Sequence, residues 1–299
     1  DLLRFDWRPG DTYQVHDKRD GASVTSDFLE WEASVRRPYF AMLNYMEAHA
    51  GYAAPLDTLF GTERTRQVEY DGSIRWLDGE LRRLFEALAA RGTLERTVVI
   101  LTSDHGEAFG EHDIHGHGKG LYTTLIHVPL MIYAPGRLDG GVRIGRTVSL
   151  RDIARTIQEF TGSKQPPFPG QPLTALTKDP NAAASPAIAE LSNVEADGHP
   201  ATWPNMIAAL DDTLHVIRDY RGRISAYAYR TDVMETTDLA AADSTRSAVF
   251  LHWLEQTQQR AGLDPRRSTK GPSGRASAGA ALDSTPTPDR MMRFAGPLP

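Results

Sequence analysis

The sequence contains no cysteine, which excludes disulfide bonds, thiolate metal ligands and a cysteine nucleophile from these 299 residues. This absence leaves the cellular compartment open, because many exported proteins also lack disulfides. Long apolar runs are missing too, and none approaches the roughly 18 residues that mark a membrane-spanning helix. The formal net charge of −6 argues against a general nucleic-acid-binding protein, since such proteins usually carry a basic stripe.

The composition that is present is typical of a globular protein, with 40% hydrophobic and 24% charged residues. A chain of this length can bury a substantial core in one or two domains. We predict a first domain over residues 1–165 and a small α+β subdomain over residues 166–262. Residues 263–299 are rich in Pro, Ser, Gly and Ala, and we predict a disordered tail there.

Strand and helix patterns alternate in the first domain. Apolar runs predict strands at 39–44, 97–101 and 128–133. Amphipathic patterns predict helices at 24–37, 63–91 and 149–160. This alternation is typical of an α/β fold in which a mixed, largely parallel sheet is flanked by helices.

The subdomain has a different pattern. Short apolar runs predict strands at 187–191, 205–210 and 213–217, with Asp211-Asp212 as a hairpin turn. A helix is predicted at 247–261. We therefore expect a small antiparallel sheet followed by a C-terminal helix.

The loop after the 97–101 strand holds the strongest chemical signal. Five of the ten histidines lie between residues 105 and 127. Asp104 and His105 are adjacent at the end of a strand, which is where open α/β sheets build their sites. A carboxylate and an imidazole suit Zn²⁺ or Mn²⁺ and suit Ca²⁺ less well. A catalytic ion normally takes about three protein ligands, so further ligands must come from elsewhere.

The end of the same loop has the features of an anion site. Gly116 and Gly118 let the backbone bring Lys119 close to a ligand. A predicted helix over residues 119–126 would add N–H groups that favour anions. His117 is placed to protonate a leaving oxygen.

His49 is the other candidate, because it follows the predicted 39–44 strand and would reach the same sheet edge as Asp104. A metal, a lysine and imidazoles together suit an oxyanion ester.

Simpler interpretations apply to several of these residues. An Asp-His pair at a strand end is equally consistent with a turn that holds a hydrogen-bonded histidine. Glu47 is consistent with a surface carboxylate, and His127 with a structural role. The remaining histidines carry less signal: surface loop positions are expected for His112 and His115, and no site is indicated at His16, His199, His215 and His252.

These motifs resemble the sulfatase family of the alkaline-phosphatase superfamily. The similarity to the C-terminal half of the family's catalytic domain rests on residues 102–107 (Thr-Ser-Asp-His-Gly-Glu), 116–119 (Gly-His-Gly-Lys), Tyr122 and 128–130 (Val-Pro-Leu). Residues 44–49 resemble an earlier strand-end segment of the family, although Gly51-Tyr52 replaces its usual Pro-Tyr. Residues 149–153 and 168–170 resemble downstream segments. The resemblance covers roughly residues 20–260.

The resemblance implies a role for each candidate residue. Asp104 and His105 would be two ligands of one divalent cation, Ca²⁺, Mn²⁺ or Zn²⁺. Lys119 and His49 would hold the sulfate or phosphate oxygens, and His117 would lie beside the metal and the substrate. The implied activity is hydrolysis of a sulfate ester on a small molecule or a glycan, and the implied location is the periplasm or the cell exterior.

One family element is missing from the sequence. Sulfatases carry an upstream Asp-Asp pair and a Cys/Ser-x-Pro-x-Arg motif whose Cys or Ser becomes formylglycine. Residues 284–288 (Ser-Thr-Pro-Thr-Pro) echo this motif, but Pro288 replaces the Arg and the segment follows the metal pair instead of preceding it. We interpret that echo as coincidence. We expect the chain to be the C-terminal part of a longer enzyme that carries formylglycine, and we predict that these residues alone are inactive.

Two alternatives remain at this point. His105 stands where many arylsulfatases have Asn and bind Ca²⁺, and a nitrogen ligand favours Mn²⁺ or Zn²⁺. Phosphate and phosphonate ester enzymes of the superfamily share this histidine. The complete protein could therefore be a phosphodiesterase, a phosphonate monoester hydrolase or a phosphoethanolamine transferase. The second alternative is a remnant without catalysis.

Overall fold

A computed structural model of the chain describes residues 19–52, 65–179, 182, 186–191, 206–219, 221–242 and 244–260. The chain divides into two compact units. The first unit contains the chain up to His117 together with His127–Val142, and the second contains Gly118–Ile126 together with the chain from Arg143 onward. A domain boundary at residue 165 stays a sequence-based prediction. The predicted tail and its Ser284 motif lie outside the described residues.

Two helices dominate the first unit: α1 (Gly21–Ser34) and α2 (Arg66–Ala90). Helix α1 begins earlier than the predicted residue 24, because the Asp20 carboxylate accepts the N–H of Ser23 and caps the first turn. The Thr65 hydroxyl caps α2 in the same way. Helix α2 ends before Gly92, whose φ of +66° is the left-handed conformation that commonly follows a helix.

The two helices bury a shared apolar core. The core contains Phe28, Leu29, Leu84, Leu88 and Leu94. Burial of each of these side chains stabilises the fold by about 1.5–3 kcal/mol. The guanidinium of Arg91 donates to the carbonyl of Leu29 and to the buried carboxylate of Glu32, both at 2.7 Å. These bonds tie the end of α2 to α1.

The central strands of the first unit are β1 (Val99–Thr102) and β4 (Leu130–Tyr133). They pair antiparallel, with Val99 opposite Tyr133 and Thr102 opposite Leu130. The predicted mixed α/β fold is confirmed, and all pairings among the described strands, including that of β1 with β4, are antiparallel. A parallel partner needs a crossover back across the sheet, whereas the chain between β1 and β4 returns in the opposite direction.

The strand predicted at residues 39–44 is also wrong. This segment is extended but forms no ladder with any described strand. Tyr39 and Leu43 pack against the α1–α2 core, whereas Phe40 and Met42 are 67% and 75% exposed. The apolar run therefore reflects extended chain that packs on helices through Tyr39 and Leu43 rather than a strand inside a sheet.

The segment that follows docks on the first turn of α1. Glu47 is buried, and its carboxylate accepts the N–H of Gly21, so the interpretation of Glu47 as a surface residue is wrong. The hydroxyl groups of Thr25 and Tyr45 lie 2.9 Å apart and add a second link. A free helix N–H and a desolvated carboxylate satisfy each other here.

The second unit contains the predicted antiparallel sheet. Its strands are β5 (Ala187–Leu191), β6 (Met206–Leu210), β7 (His215–Arg218) and β8 (Ile224–Tyr227), in that spatial order. The Asp211 carboxylate accepts the N–H groups of Thr213 and Leu214 and closes the predicted β6–β7 turn.

Apolar side chains cover both faces of this sheet. Helix α6 (Ser244–Arg260), predicted from residue 247, packs Phe250 with Ile207 and Val216. The other cluster contains Leu121, Ala208, Ile217 and Tyr227. Three further helices belong to this unit: α3 (Thr123–Ile126), α4 (Arg151–Phe160) and α5 (Thr174–Lys178). Helix α5 lies in a stretch that the sequence indicated as a loop.

Two of the downstream segments singled out in the sequence meet at Asp152. Its carboxylate accepts the N–H of Ser149 at 3.1 Å and that of Gln171 at 2.9 Å. Gly170 has φ +112°, and a Cβ there would lie 2.6 Å from an oxygen of Asp152. The glycine is therefore required by close approach, and Asp152 joins the start of α4 to the 168–170 turn.

We predict that Gly21→Ala destabilises the first unit by about 1–3 kcal/mol, because a Cβ there would lie 2.6 Å from the Glu47 carboxylate and force a buried contact apart. Gly79→Ala is the matched control, since Gly79 lies on α2 with nothing within 4 Å of its Cβ position. We expect that control to gain about 0.5–1 kcal/mol from helix propensity. Urea unfolding of both variants is the measurement; an equal effect of the two substitutions would contradict the close contact.

Candidate active site

Three of the predicted site histidines lie together in the first unit. The rings of His105 and His117 are stacked, with centroids 4.1 Å apart. The ring of His49 meets that of His117 edge to face at 5.5 Å. The structure therefore brings His49, next to the docked 45–47 segment, to the two histidines that follow β1.

Asp104 and His105 have the donor chemistry for a metal ion. His105 Nδ1 lies 2.8 Å from the carbonyl oxygen of Gly106, and a carbonyl only accepts, so Nδ1 carries the proton and Nε2 keeps its lone pair. Nε2 lies 3.7 Å from Oδ2 of Asp104, whose side chain is 86% exposed. Two ligand atoms of a tetrahedral ion lie roughly 3.4 Å apart, so this pair fits one cation.

Two ligands do not complete a metal site. Within the described ranges, no group of three or more His, Asp or Glu side chains is arranged to hold an ion. The metal assignment of Asp104 and His105 therefore stays a prediction, supported by their donor atoms and their separation.

Glu107 is a site residue to which the sequence analysis gave no role. It is 8% exposed, and its two oxygens lie 3.3 and 3.4 Å from Nδ1 of His117. An ionised carboxylate can only accept, so Nδ1 donates and Nε2 is the nitrogen left for chemistry. The contact fixes the ring and tautomer of His117 in the manner of a carboxylate that orients a catalytic histidine.

A short hairpin produces the Glu107–His117 contact. Strands β2 (Ala108–Phe109) and β3 (His115–Gly116) pair with Ala108 opposite Gly116. Continuing that register by one residue places Glu107 opposite His117. The sequence feature that could have indicated this hairpin is Gly110, which lies in the turn between the two strands with φ +132°.

The tip of that hairpin carries two of the remaining histidine-loop residues. His112 and Asp113 have φ of +54° and +59°, a conformation that Asn, Asp and His adopt more readily than most residues. His115 is exposed on β3. Neither His112 nor His115 belongs to the stacked group, and His115 lies on a strand where a surface loop position was expected.

A cleft of about 290 Å³ adjoins the histidines within the first unit. The walls of the cleft combine aromatic, cationic and polar side chains with backbone atoms. The lining residues are Ala50, Tyr52, Thr65, Arg66, Gln67, Glu107, Ala108, Phe109, His115 and Gly116. Burial raises the pKa of Tyr52 and of Tyr70 behind it, and the charge of Glu107 adds to both shifts. Both phenols therefore stay protonated near neutral pH and act as hydrogen-bonding or apolar surface.

Lys119 belongs to the second unit, where its side chain is exposed. The helix predicted from residue 119 begins only at Thr123, so the expectation that Lys119 opens a helix is wrong. The physical reason is the cap: a carboxylate oxygen of Glu235 accepts the N–H of Thr123 at 2.7 Å and its hydroxyl at 3.1 Å. The Glu235 carboxylate therefore occupies the start of α3, where an anionic ligand was expected to bind. The anion-binding role of Lys119 stays a prediction that rests on its motif.

Comparison with known proteins places these motifs in a family context. The Sulfatase family model matches residues 6–163. Arylsulfatase K from Xenopus laevis is 34% identical over 115 residues, which is 37% of this chain and 21% of that protein. An arylsulfatase from Clostridium perfringens is 36% identical over 98 residues, 31% of this chain and 20% of that protein. The chain thus spans about a fifth of the length of these curated relatives.

A solved structure shows the same fold. The crystal structure of a phosphonate monoester hydrolase from Agrobacterium radiobacter superposes with a TM-score of 0.63, at 22% identity, over 82% of this chain and 61% of that one. At this identity the likeness concerns the fold, a mixed α/β architecture of the alkaline-phosphatase kind. No helix in the described part of the chain is long and apolar enough to cross a membrane.

We predict that Glu107→Ala releases the ring of His117. Without the carboxylate, Nδ1 loses its acceptor, so the imidazole should change from one fixed tautomer to a mixture. Long-range ¹⁵N–¹H NMR of the imidazole nitrogens measures this population directly. Glu86→Ala, at an exposed position on α2, is the control and should leave the His117 signals unchanged. A single unchanged Nδ1–H tautomer in Glu107→Ala would show that something other than Glu107 orients the ring.

Proposed function

Because the chain belongs to the sulfatase family, we propose that the complete protein is a metal-dependent hydrolase of sulfate esters. The observation that carries the proposal is the convergence of His49, His105 and His117 next to Asp104 at the end of β1. Imidazoles and a metal ligand pair gathered at one strand end suit the binding of an oxyanion and the protonation of its leaving group.

The proposed cation would be held by Asp104 and His105 together with ligands from elsewhere. When bound, such an ion neutralises charge on the ester oxygens and stabilises the negative charge that develops during displacement. The imidazole of His105 favours Mn²⁺ or Zn²⁺ over Ca²⁺, which prefers oxygen ligands. Formylglycine is the nucleophile that the family resemblance implies for the complete protein.

His117 is proposed to move the proton. Its Nδ1–H is engaged by Glu107, so Nε2 gives a proton to the oxygen that leaves as alcohol or phenol. Glu107 therefore acts on the ester through His117.

His49 and Lys119 are proposed to bind the charged group. The Nδ1 of His49 lies 3.2 Å from the carbonyl oxygen of Ala50, and we propose that Nε2 donates to an ester oxygen. The ammonium of Lys119 would supply positive charge, and this assignment rests on its motif. We propose that the organic half of the ester enters the cleft between Tyr52, Arg66 and Phe109, where aromatic and cationic side chains suit a polar ring such as a sugar.

A phosphate or phosphonate monoester is the second candidate substrate. The observation in its favour is His105, a nitrogen ligand in place of the Asn of many arylsulfatases, together with the fold shared with a phosphonate monoester hydrolase. The two candidates share the proposed cation, the imidazoles and the lysine, so turnover separates them.

We predict that the complete protein, supplied with Mn²⁺ or Zn²⁺, hydrolyses an aryl sulfate with a higher kcat/KM than the phosphate and phosphonate monoesters of the same phenol. Because all three esters release the same phenol, differences in kcat/KM among them depend only on whether the ester is a sulfate, a phosphate or a phosphonate. Release of the phenol is the measurement. A preference for phosphonate would move the assignment to the second candidate. An absence of turnover on all three esters would indicate a protein without catalysis.

We predict that Asp104→Ala in the complete protein lowers metal affinity by more than about 100-fold, because lesser changes around metal ligands already cost roughly 10–100-fold. Metal content after dialysis and turnover of the aryl sulfate are the measurements. Asp139→Ala, which removes an exposed carboxylate beyond β4, is the matched control and should retain both. Unchanged metal content in Asp104→Ala would remove Asp104 from the proposed ligand set.

A further inference from the structure

Glu235 is a buried carboxylate of the second unit that binds the segment carrying Lys119. One oxygen accepts the N–H and the hydroxyl of Thr123. The other lies 2.5 Å from Nδ1 of His215. Because the side chain is 2% exposed, a carboxylate with fewer partners would be strongly destabilising, and here both oxygens are used.

His215, which contacts Glu235, is held in place by the small antiparallel sheet. It lies on β7 between Leu210 of β6 and Tyr227 of β8, and its side chain is fully buried. Its Nε2 has no hydrogen-bond partner among the described residues, so Glu235 provides the hydrogen bond of the ring. The sequence analysis gave His215 no role, because a single histidine in an apolar strand carries no pattern.

Glu235 itself adopts an unusual backbone conformation. Its φ of +51° is rare for a residue with a side chain, and its N–H donates to the carbonyl of Asp232 in a turn. Such a conformation persists where the surroundings over-determine it, and functional positions are enriched in it. The turn aims the carboxylate at Thr123.

Two more anchors hold the segment between Lys119 and Thr123. Leu121 is buried against the sheet, in the cluster that contains Ala208 and Ile217, and Tyr122 packs there as well. Leu121 and Thr123 are both fixed. Lys119 therefore lies two residues before a packed side chain and four residues before the residue that Glu235 binds.

We propose that Glu235 and His215 are positioning residues for Lys119. They cap the start of α3 from the small sheet and thereby fix the path of residues 118–126 in the second unit. The proposal rests on the anion-binding role of Lys119 proposed above. It assigns to the C-terminal sheet a part in recognition of the charged group, in addition to its contribution to stability.

Hydrogen exchange of this chain tests the physical link without any activity. Glu235→Ala should accelerate exchange of the amides at 121–126 by about tenfold or more, because the half-buried N–H of Thr123 loses a charged acceptor. Trypsin cleavage after Lys119 should accelerate as well. Glu235→Gln, whose amide oxygen can still accept from Thr123, should restore part of the protection. His215→Gln should accelerate exchange of the same amides, because Glu235 loses its imidazole partner, and His252→Gln, at an exposed position on α6, is its control.

A second variant covers the case in which Glu235→Ala loosens the whole small sheet. Thr123→Val removes only the hydroxyl and leaves Glu235 paired with His215. Faster exchange confined to residues 119–126 in this variant would support the proposal. Unchanged exchange of residues 121–126 in both Glu235→Ala and Thr123→Val would overturn it, since the N–H and the hydroxyl of Thr123 would then gain no protection from the carboxylate.

A double-mutant cycle in the complete protein tests whether Glu235 acts through Lys119. Lys119→Ala should lower kcat/KM by roughly 10²–10³-fold if its ammonium stabilises the oxyanion. Glu235→Ala should then have little further effect in the Lys119→Ala background. Fully additive effects would overturn the positioning role. No effect of Lys119→Ala alone would instead refute the anion site, while the exchange result for residues 119–126 would stand.

Discussion

The cost of burying a carboxylate shapes both units of this protein. A desolvated carboxylate is destabilising unless donors pair with it. Three buried glutamates each accept a hydrogen bond at or near a proposed site residue, although the second oxygen of Glu47 has no partner among the described residues. Glu47 accepts the N–H of Gly21 and holds the segment before His49, Glu107 engages His117, and Glu235 engages Thr123 beyond Lys119. A packing requirement thus becomes a means of fixing functional side chains that themselves remain partly exposed.

The first unit shows how little regular structure such a site needs. The stacked histidines are held by one strand end, a hairpin of two two-residue strands and a segment docked on the first turn of α1. Each of these contacts satisfies backbone groups that would otherwise be unpaired. The rigidity of helices α1 and α2, packed through a continuous leucine-rich core, supports the docked segment and so the position of His49.

The chemistry of the site residues could be predicted from the sequence because it is local. Adjacent Asp104 and His105 at a strand end, and a histidine and a lysine among glycines, define donor types and approximate place without knowledge of packing. The antiparallel subdomain was predictable for a related reason: its strands are consecutive and joined by short turns, and Asp211 closes one of them by bonding two nearby N–H groups. The family membership follows from the same local motifs.

Long-range partners were decided by the tertiary structure alone. The direction of β4 relative to β1 depends on the path of the chain between them, which no local pattern encodes. The segment at 39–44 is an apolar run typical of a buried strand, but its Tyr39 and Leu43 pack on helices instead.

The buried glutamates are the clearest case of this division. From sequence, Glu47, Glu107 and Glu235 have the same expected exposure as any other acidic residue. Their burial depends on donors that lie 10 to 112 positions away in the chain. The sequence alone therefore determined which groups are candidates for the chemistry and to which family the chain belongs. The tertiary structure decided what orients them, because a hydrogen bond between distant residues exists only once the chain has brought them together.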